Sequence, residues 1–298
     1  MQIGFFGLGK MGKNMVLRLL EKGVEVVAWN RSPEPRTEVS EKGAITVEKP
    51  EDVLAELTSP RIIWLMLPAG EVTDQIIETL LPYLNQGDLL IDGANSYYKD
   101  TLRRAELVKE KGISYMDVGV SGGPSGARSG ACLMVGGKDN DFLKMAPIFQ
   151  IMASPDAFAH LGPVGAGHFA KMVHNGIEYG MMQAIAEGAV VLQKSIFDYD
   201  LSKVFRLYNN RSVIEARLTG WAQEAFTDDP QLDNISSKIN HTGEGEWTIK
   251  SAHELDVEVP IIEKSFAVRV ASSESSNSFR DKVVSALRGK FGGHAVKI

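Results

Sequence analysis

Apolar segments rich in β-branched residues alternate with amphipathic segments through the first half of the chain. Short apolar runs of this kind predict buried strands, and the amphipathic stretches between them predict helices. The predicted strands cover 2–6, 24–30, 61–67, 88–92, 113–118 and 131–137, and the predicted helices cover 11–22, 50–57, 72–84 and 99–111. Such an alternation is typical of a mainly parallel sheet with helices on both faces. We therefore expect an α/β fold that begins with a doubly wound parallel sheet.

The pattern changes after about residue 159. Between 165 and 194 the chain has no proline and no clear turn, and a single helix of this length would extend roughly 45 Å. Four later segments also favour helix, at 201–214, 215–226, 259–272 and 278–289. We expect an α/β domain at 1–159 and an all-helical C-terminal domain at 160–298, joined by the long helix.

Composition places the protein among soluble globular chains, since 44% of its 298 residues are hydrophobic and 23% are charged. Its longest apolar runs, such as 62–67, are far shorter than the roughly 20 residues of a membrane helix. The first predicted strand starts at Gln2, which leaves no room for a signal or transit peptide. The single cysteine, Cys132, allows neither an internal disulfide nor a cysteine-based zinc site, and its flanks are typical of a buried strand. We expect a cytoplasmic enzyme or binding protein, with no membrane partner.

The net charge of -6 disfavours a nucleic-acid partner, because phosphate backbones attract basic surfaces. The segment 280–298 departs from this balance with five Lys or Arg residues and one Asp, which gives a net charge of +4. On composition alone, a solvated basic tail is the favoured interpretation.

A glycine cluster follows the first predicted strand and opens the first predicted helix: Gly7-Leu8-Gly9-Lys10-Met11-Gly12. In this context the first glycine permits a tight turn, the second lets the backbone approach a pyrophosphate, and the third allows close packing. The pyrophosphate would lie at the positive end of the helix. Alternatively, the cluster is an ordinary glycine turn of the kind found in other α/β proteins. We predict a Rossmann-type dinucleotide-binding domain.

The choice of dinucleotide depends on the end of the second predicted strand, where folds that bind NAD place an acid against the ribose. This chain has Asn30, Arg31 and Ser32 there. A guanidinium can bind a 2′-phosphate that an acid would repel, so NADP is preferred and NAD remains possible. Alternatively, Arg31 is an ordinary exposed arginine. The predicted cofactor-binding set also includes Leu67 and Asn95.

The long predicted helix carries five polar residues on one face. At about 100° per residue, these positions fall within an arc of roughly 140°. They are Lys171, His174, Asn175, Glu178 and Tyr179. The opposite side holds Met172, Val173, Ile177 and Met181. A helix this apolar elsewhere is not expected to expose its polar face to water.

Burying Lys171 and Glu178 is costly unless they are paired or bind a polar group. One interpretation is structural, namely a salt-bridged stripe or a partly exposed helix start. The functional interpretation is a lysine whose pKa is lowered by desolvation, able to take a proton from a hydroxyl group, and a glutamate able to donate one. His174 and Asn175 would then orient the substrate by hydrogen bonds. The spacing offers no good metal site, and no metal is expected.

Two glycine-rich turns follow predicted strands, at 92–96 and at 121–130. Ligands of open α/β sheets bind beyond the carboxyl ends of the strands, which is where both turns should lie. Backbone amides beside Asn95 and Ser121 would suit a carboxylate and its neighbouring hydroxyls. Alternatively, the residues of these turns only form ordinary loops and bind no ligand.

These motifs resemble those of the 6-phosphogluconate dehydrogenase family. The matching segments are GLGKMGKN, NRS, DGANSYY, SGGPSGARSG, KMVHNGIEY, TGEGEW and RGKFGGH, which extend over nearly the whole chain. The first four occur in looser form throughout the β-hydroxyacid dehydrogenase superfamily, whereas KMVHNGIEY and the tail are more specific. The chain resembles the short class of the family, which lacks a large part of the helical domain.

The resemblance implies oxidative decarboxylation of 6-phosphogluconate to ribulose 5-phosphate and CO2, with hydride transfer to NADP. Lys171 would be the general base at the 3-hydroxyl and Glu178 the acid that protonates carbon 1 after CO2 leaves. The residues implied around the sugar acid are Asn95, Ser121, Gly122, Gly123, Lys171, His174, Asn175 and Glu178. Those implied at the phosphate are Tyr179, Arg269, Arg288 and His294.

The family's tail reaches a partner subunit, so the resemblance also implies a homodimer or homotetramer whose tail completes a partner's site. Arg288 and His294 then become phosphate ligands rather than solvated charge. One departure concerns a phosphate-contacting lysine of the long form, because this chain has Thr242 there, with Glu244 and Glu246 nearby.

Two other functions remain open. The first is a 3-hydroxyisobutyrate-type β-hydroxyacid dehydrogenase, which would use Lys171 on an unphosphorylated substrate. Glu178, Tyr179 and the basic tail speak against it. The second is an NADP-binding sensor or scaffold, which would need the glycine turn but not the buried lysine and glutamate.

Overall fold

The computed structural model describes residues 1–239, 243–273, 277–293 and 296. The chain forms two compact units, Met1–Lys171 and Met172–Ile298.

The first unit contains an eight-stranded sheet. Its strands are β1 (Gln2–Phe6), β2 (Glu25–Trp29), β3 (Ile45–Thr46), β4 (Ile62–Leu65), β5 (Leu89–Asp92), β6 (Ser114–Ser121), β7 (Ala131–Gly136) and β8 (Ala153–Gly162). They lie in the order β3-β2-β1-β4-β5-β6-β7-β8. All neighbouring strands are parallel except β6 and β7. The expected α/β fold with a mainly parallel sheet is confirmed.

Helices alternate with these strands. In the first unit they are α1 (Lys10–Glu21), α2 (Pro33–Ser40), α3 (Asp52–Ala55), α4 (Glu71–Leu80), α5 (Tyr98–Lys109), α6 (Gly123–Ser129) and α7 (Asp139–Met152). The long helix α8 (Ala166–Gln193) begins in the first unit and contributes most of its length to the second. The second unit continues with α9 (Leu201–Tyr208), α10 (Arg217–Asp228), α11 (Glu244–Glu254), α12 (Pro260–Ala271) and α13 (Phe279–Gly292). The expected helical character of the C-terminal region is confirmed for the described residues.

The sheet has a separate apolar core on each face, because successive strand residues point in opposite directions. Phe5 and Trp64 are fully buried in one core, whereas Phe6 and Ile63 are fully buried in the other. Because both faces of the sheet are covered, its central strands have no polar face. The second unit has its own core, which includes Met182, Phe205, Phe226 and Leu287.

The sequence pattern misses β3, β8, α2, α6, α7 and α11. Helix α6 lies within 121–130, where the sequence predicts a glycine-rich turn. The edge strand β8 contains Pro155 and Asp156 and is only partly buried, so it lacks the apolar run that marks the central strands. The boundary predicted at residue 159 falls inside this strand. Helix α7 contains Pro147, a residue that ordinarily signals a helix end.

Cys132 is exposed, contrary to the buried strand predicted around it. Its neighbours Ala131 and Leu133 are buried, so the alternation along β7 points the thiol outward. Among the described residues, no helix is long and apolar enough to cross a membrane.

Candidate active site

The glycine turn between β1 and α1 has the geometry that a pyrophosphate requires. Gly7 has a φ of +96°, and a Cβ there would overlap the carbonyl of Met66. A Cβ at Gly12 would overlap the carbonyl of Gly7, so these two glycines close the turn. Gly9, by contrast, caps α1, and a Cβ added there would meet no heavy atom within 4 Å. The turn therefore fits a dinucleotide whose pyrophosphate approaches Gly9 and the start of α1.

Asn30 ties the end of β2 to this turn. Its Oδ1 accepts a hydrogen bond from the amide of Leu8 at 2.9 Å, and its Nδ2 donates to the carbonyl of Ser32 at 3.1 Å. Arg31 and Ser32 are exposed, as is Lys10 at the start of α1. The guanidinium of Arg31 is therefore on the surface, where a ligand can reach it.

Leu67 and Asn95 lie at the carboxyl ends of the neighbouring strands β4 and β5. Asn95 is exposed although Ala94 and Ser96 on either side of it are buried, and Leu67 is half-buried. The third loop at this edge begins with Ser121, the last residue of β6. Ser121, Gly122 and Gly123 are all half-buried, and Gly122 has a φ of +125°. Ligands of doubly wound sheets bind at this edge.

A buried aspartate and a close-packed glycine place Lys171 against the sheet. Asp117, on β6, is fully buried and accepts hydrogen bonds from the amides of Gly165 and His168, both at 2.7 Å. These bonds satisfy donors at the start of α8 that have no partner within the helix. A Cβ at Gly119 would overlap the Cβ of Lys171, so the lysine backbone lies directly on β6.

The polar face of α8 is mostly buried. Lys171 is 9% exposed, Asn175 8% and Tyr179 5%, whereas the side chains of His174 and Glu178 are partly exposed. His174 Nδ1 lies 3.1 Å from Asn175 Oδ1 and 3.8 Å from Glu178 Oε2. Ile177 and Met181 on the opposite side are exposed. The expectation that this helix keeps its polar face away from water agrees with the burial of Lys171, Asn175 and Tyr179, and is met only in part by His174 and Glu178.

Two buried arginines lie beside Tyr179 in the second unit. Arg269, on α12, is 4% exposed and its guanidinium carbon lies 3.4 Å from the centre of the Tyr179 ring. Arg288, on α13, is 7% exposed. Burial lowers the pKa of both guanidinium groups, because it removes water from a charged group, and burial raises the pKa of Tyr179 for the same reason. The charges of Glu178 and Arg288 are close enough to influence one another.

The start of α11 adds a carboxylate to this cluster. Glu244 is 6% exposed and its charge acts on both Tyr179 and Arg288. A Cβ at Gly245 would press into the Tyr179 ring, so the first turn of α11 packs directly on the tyrosine. Glu246 is exposed. Of the two acids noted in the sequence, only Glu244 therefore lies within the cluster.

The described residues of the segment 280–298, which are 280–293 and 296, do not form the solvated tail that its composition suggests. Most of it forms α13, where Lys282 and Arg288 are buried, and Lys290 pairs with Asp228. The carbonyl of Val296 accepts a hydrogen bond from the amide of Ser236 at 2.7 Å. His294 and Thr242, both named from the sequence, lie outside the described residues.

Sequence reasoning misses Asp117, which anchors the start of α8. The available signal is that Asp117 is the one charged residue within the predicted strand 113–118. The described ranges contain no group of three or more His, Cys, Asp or Glu residues able to hold a metal ion.

Comparison with known proteins gives a consistent result for both parts of the chain. Residues 2–162 match the family model for the NAD binding domain of 6-phosphogluconate dehydrogenase, and residues 167–296 match the model for its C-terminal domain. These two matches define an NAD(P)-dependent dehydrogenase, and the glycine turn and sheet are consistent with its dinucleotide-binding domain. The chain belongs to the 6-phosphogluconate dehydrogenase family.

Individual relatives agree with this assignment. An NAD(+)-dependent, decarboxylating 6-phosphogluconate dehydrogenase from Haloferax volcanii is 38% identical over 298 residues, covering 99% of this chain and 98% of the relative. The structure of Plasmodium falciparum 6-phosphogluconate dehydrogenase, described with NADP+ and with 6-phosphogluconate, superposes with a TM-score of 0.82 and 32% identity. That match covers 91% of this chain and 62% of the other. A 3-hydroxyisobutyrate dehydrogenase from Mycobacterium tuberculosis, with a TM-score of 0.76 and 20% identity over 95% of this chain and 97% of that one, shares the fold.

Proposed function

We propose that this protein catalyses the oxidative decarboxylation of 6-phosphogluconate to ribulose 5-phosphate and CO2, with hydride transfer to NADP. The observation that carries the proposal is the pair of buried arginines, Arg269 and Arg288, beside Tyr179. Burying two guanidinium groups near each other is unfavourable unless anions compensate them. Glu178 and Glu244 offset part of this positive charge, and a phosphate group would supply further negative charge. Tyr179 lies on the same helix as Lys171 and Glu178, the proposed base and acid.

The chemistry needs one base and one acid. Lys171 takes the proton of the hydroxyl on carbon 3 while the hydrogen on that carbon leaves as hydride. NADP held at the glycine turn would supply the acceptor for this hydride. The resulting 3-keto acid loses its carboxylate as CO2, and Lys171 returns its proton to the oxygen on carbon 3, which gives an enediol. When the enediol is converted to the ketone, Lys171 takes this proton back. Glu178 then donates a proton to the carbon that becomes carbon 1 of ribulose 5-phosphate.

The remaining polar residues would bind and orient the substrate. His174 and Asn175 lie between Lys171 and Glu178 along α8 and offer hydrogen bonds to hydroxyls. Asn95 and the backbone of 121–123 would contact the sugar acid from the carboxyl edge of the sheet. The glycine turn at 7–12 would hold the pyrophosphate, with Leu67 beside the cofactor.

We propose NADP as the preferred cofactor because Arg31 is exposed at the end of β2, where an acid would favour NAD. Arg31→Ala is expected to lower the ratio of kcat/KM for NADP to kcat/KM for NAD by about 10- to 100-fold, the value of one charge-assisted hydrogen-bonding group. Steady-state kinetics with both cofactors measures this ratio. Lys42→Ala, another exposed cation of the first unit, is the matched control. An unchanged ratio in Arg31→Ala would contradict the preference.

The test of the proposed function is a coupled measurement on the wild-type protein. Incubation with 6-phosphogluconate labelled at the carboxyl carbon should form NADPH and labelled CO2 in equal amounts. Turnover of 3-hydroxyisobutyrate without turnover of 6-phosphogluconate would favour the unphosphorylated class of substrate instead. Dinucleotide binding without turnover of either compound would favour a sensor.

A further inference from the structure

A buried arginine on α5 joins the two loops that carry Leu67 and Asn95. Arg104 is 1% exposed. Its Nη2 donates to the carbonyl of Gly70, in the loop after β4, at 3.0 Å. Its Nη1 donates to Ser96 Oγ at 3.0 Å, in the turn after β5. One planar group therefore spans both loops.

Asp92 completes this arrangement from the end of β5. It is fully buried, and its Oδ2 accepts a hydrogen bond from Arg104 Nη1 at 3.2 Å. The same oxygen accepts from Ser96 Oγ at 3.0 Å and from the Tyr115 hydroxyl at 3.1 Å, while Oδ1 accepts from the amide of Ala94 at 3.0 Å. These bonds hold the residues on both sides of the exposed Asn95.

The charges of this cluster are balanced. Asp74, in the first turn of α4, accepts from Arg104 Nε at 2.7 Å and from Arg103 Nη2 at 2.8 Å. Two carboxylates thus face two guanidinium groups. The partners of Arg104 therefore satisfy its buried charge and fix its orientation. Arg103 shares Asp74 but its side chain is 54% exposed, and its bonds reach neither loop.

We infer that Arg104 is a positioning residue for hydride transfer, holding the loop after β4 and the turn after β5 at the separation that Leu67 and Asn95 need. The inference rests on the proposed function, in which Leu67 lies beside the cofactor and Asn95 contacts the sugar acid. A guanidinium is suited to this because its rigid fork reaches several acceptors at once, whereas a lysine ammonium is a single point charge. A displacement of about 1 Å at the reacting atoms can lower a rate by about 100-fold.

Arg104→Lys tests this with the charge retained. We expect kcat to fall by about 10- to 100-fold. The Kd for NADP should change little, because the hydrogen bonds of Arg104 go to other segments than the pyrophosphate turn at 7–12. Hydrogen exchange should become faster in peptides covering 66–70 and 93–97, and stay unchanged in β1 and β2. Arg103→Lys, the matched control, should leave kcat and the exchange of both loops near wild-type values.

Ser96→Ala provides a second variant that removes one anchor of the turn with a small change in volume. It should lower kcat in the same direction and speed exchange in 93–97, which keeps the inference testable if Arg104→Lys does not fold. An unchanged kcat in a folded Arg104→Lys protein would overturn the inference. An equal loss in Arg103→Lys, or unchanged exchange in both loops, would also overturn it.

The two measurements, hydrogen exchange and kcat, distinguish a failure of this inference from a failure of the proposed function. Hydrogen exchange needs no substrate, so it tests whether Arg104 holds the loops even if the wild-type protein does not oxidise 6-phosphogluconate. A wild-type protein without turnover would refute the proposed function alone, whereas normal wild-type turnover with a fully active Arg104→Lys variant would refute the positioning role alone.

Discussion

Replacing Lys171 by alanine is expected to lower kcat for 6-phosphogluconate oxidation by about 1,000-fold, in the range for loss of a general base. Lys171 is buried directly on β6, where Gly119 leaves no room between the helix and the strand. It is the one lysine in the sequence of α8, so its base function has no substitute on that helix. Stopped-flow measurement of the first turnover would report the oxidation step itself.

Two variants sharpen this prediction. Lys203→Ala removes an exposed lysine that pairs with Asp200, and it should retain wild-type kcat. Glu178→Gln should slow the proton transfer to the enediol more than the oxidation, so NADPH formation in the first turnover should exceed ribulose 5-phosphate formation. Near wild-type rates in both Lys171→Ala and Glu178→Gln would contradict the assigned roles.

Arg288→Ala is expected to raise the KM for 6-phosphogluconate by about 10- to 100-fold, because one charge-assisted contact to the phosphate is lost. The effect on kcat should be smaller, since the phosphate lies away from the reacting carbons and its contact is made in the ground state as well. Steady-state kinetics and competitive inhibition by inorganic phosphate measure the two quantities. Inhibition by phosphate should weaken in parallel with substrate binding.

Lys290→Ala is the matched control for this prediction. Lys290 lies two residues further along α13 and pairs with Asp228, so the variant removes a cation from the same helix. It should leave the KM unchanged. An equal rise in KM would indicate a general electrostatic effect of α13, and an unchanged KM in Arg288→Ala would contradict a phosphate site at this arginine.

The proposed role of the tail across subunits has its own test. Arg288 lies in the same unit as Tyr179 of its own chain, and its charge acts on that tyrosine. If the tail completes a partner's site, mixed oligomers of Arg288→Ala and Lys171→Ala subunits should regain some activity, because one composite site then has both groups. No recovery of activity would contradict a role of Arg288 in a partner's site.

The parts of the fold that were predictable from sequence are those in which local pattern and tertiary environment agree. Strands β1, β2, β4 and β5 are largely apolar because helices cover both faces of the sheet. Helix α8 was predictable because 28 residues pass without a proline. Strand β8 and helix α7 were not predictable, because each contains a proline, Pro155 and Pro147 respectively. Proline ordinarily disfavours both elements, so they form because of the surrounding structure and against the local sequence signal.

The candidate site divides in a similar way. The polar face of α8 follows from helical periodicity, since its members recur at helical spacing. The neighbours of Tyr179 could not be predicted from periodicity. Arg269 and Arg288 lie on α12 and α13, and a local sequence pattern does not predict contacts between elements so far apart in the chain. Only the family resemblance named them. Arg104 and Asp117 were missed for the same reason, because the partners of each lie on other elements.

Three glycines around the start of α8, Gly119 among them, also bear on how this protein can change over evolutionary time. A Cβ would overlap Lys171 at Gly119, Asp117 at Gly136, and the carbonyl of Met134 at Gly167. Because the closest clash involves a different neighbour in each case, no single compensating substitution relieves all of them. A side chain at any of these glycines therefore needs its own rearrangement, either of the start of α8 or of strands β6 and β7.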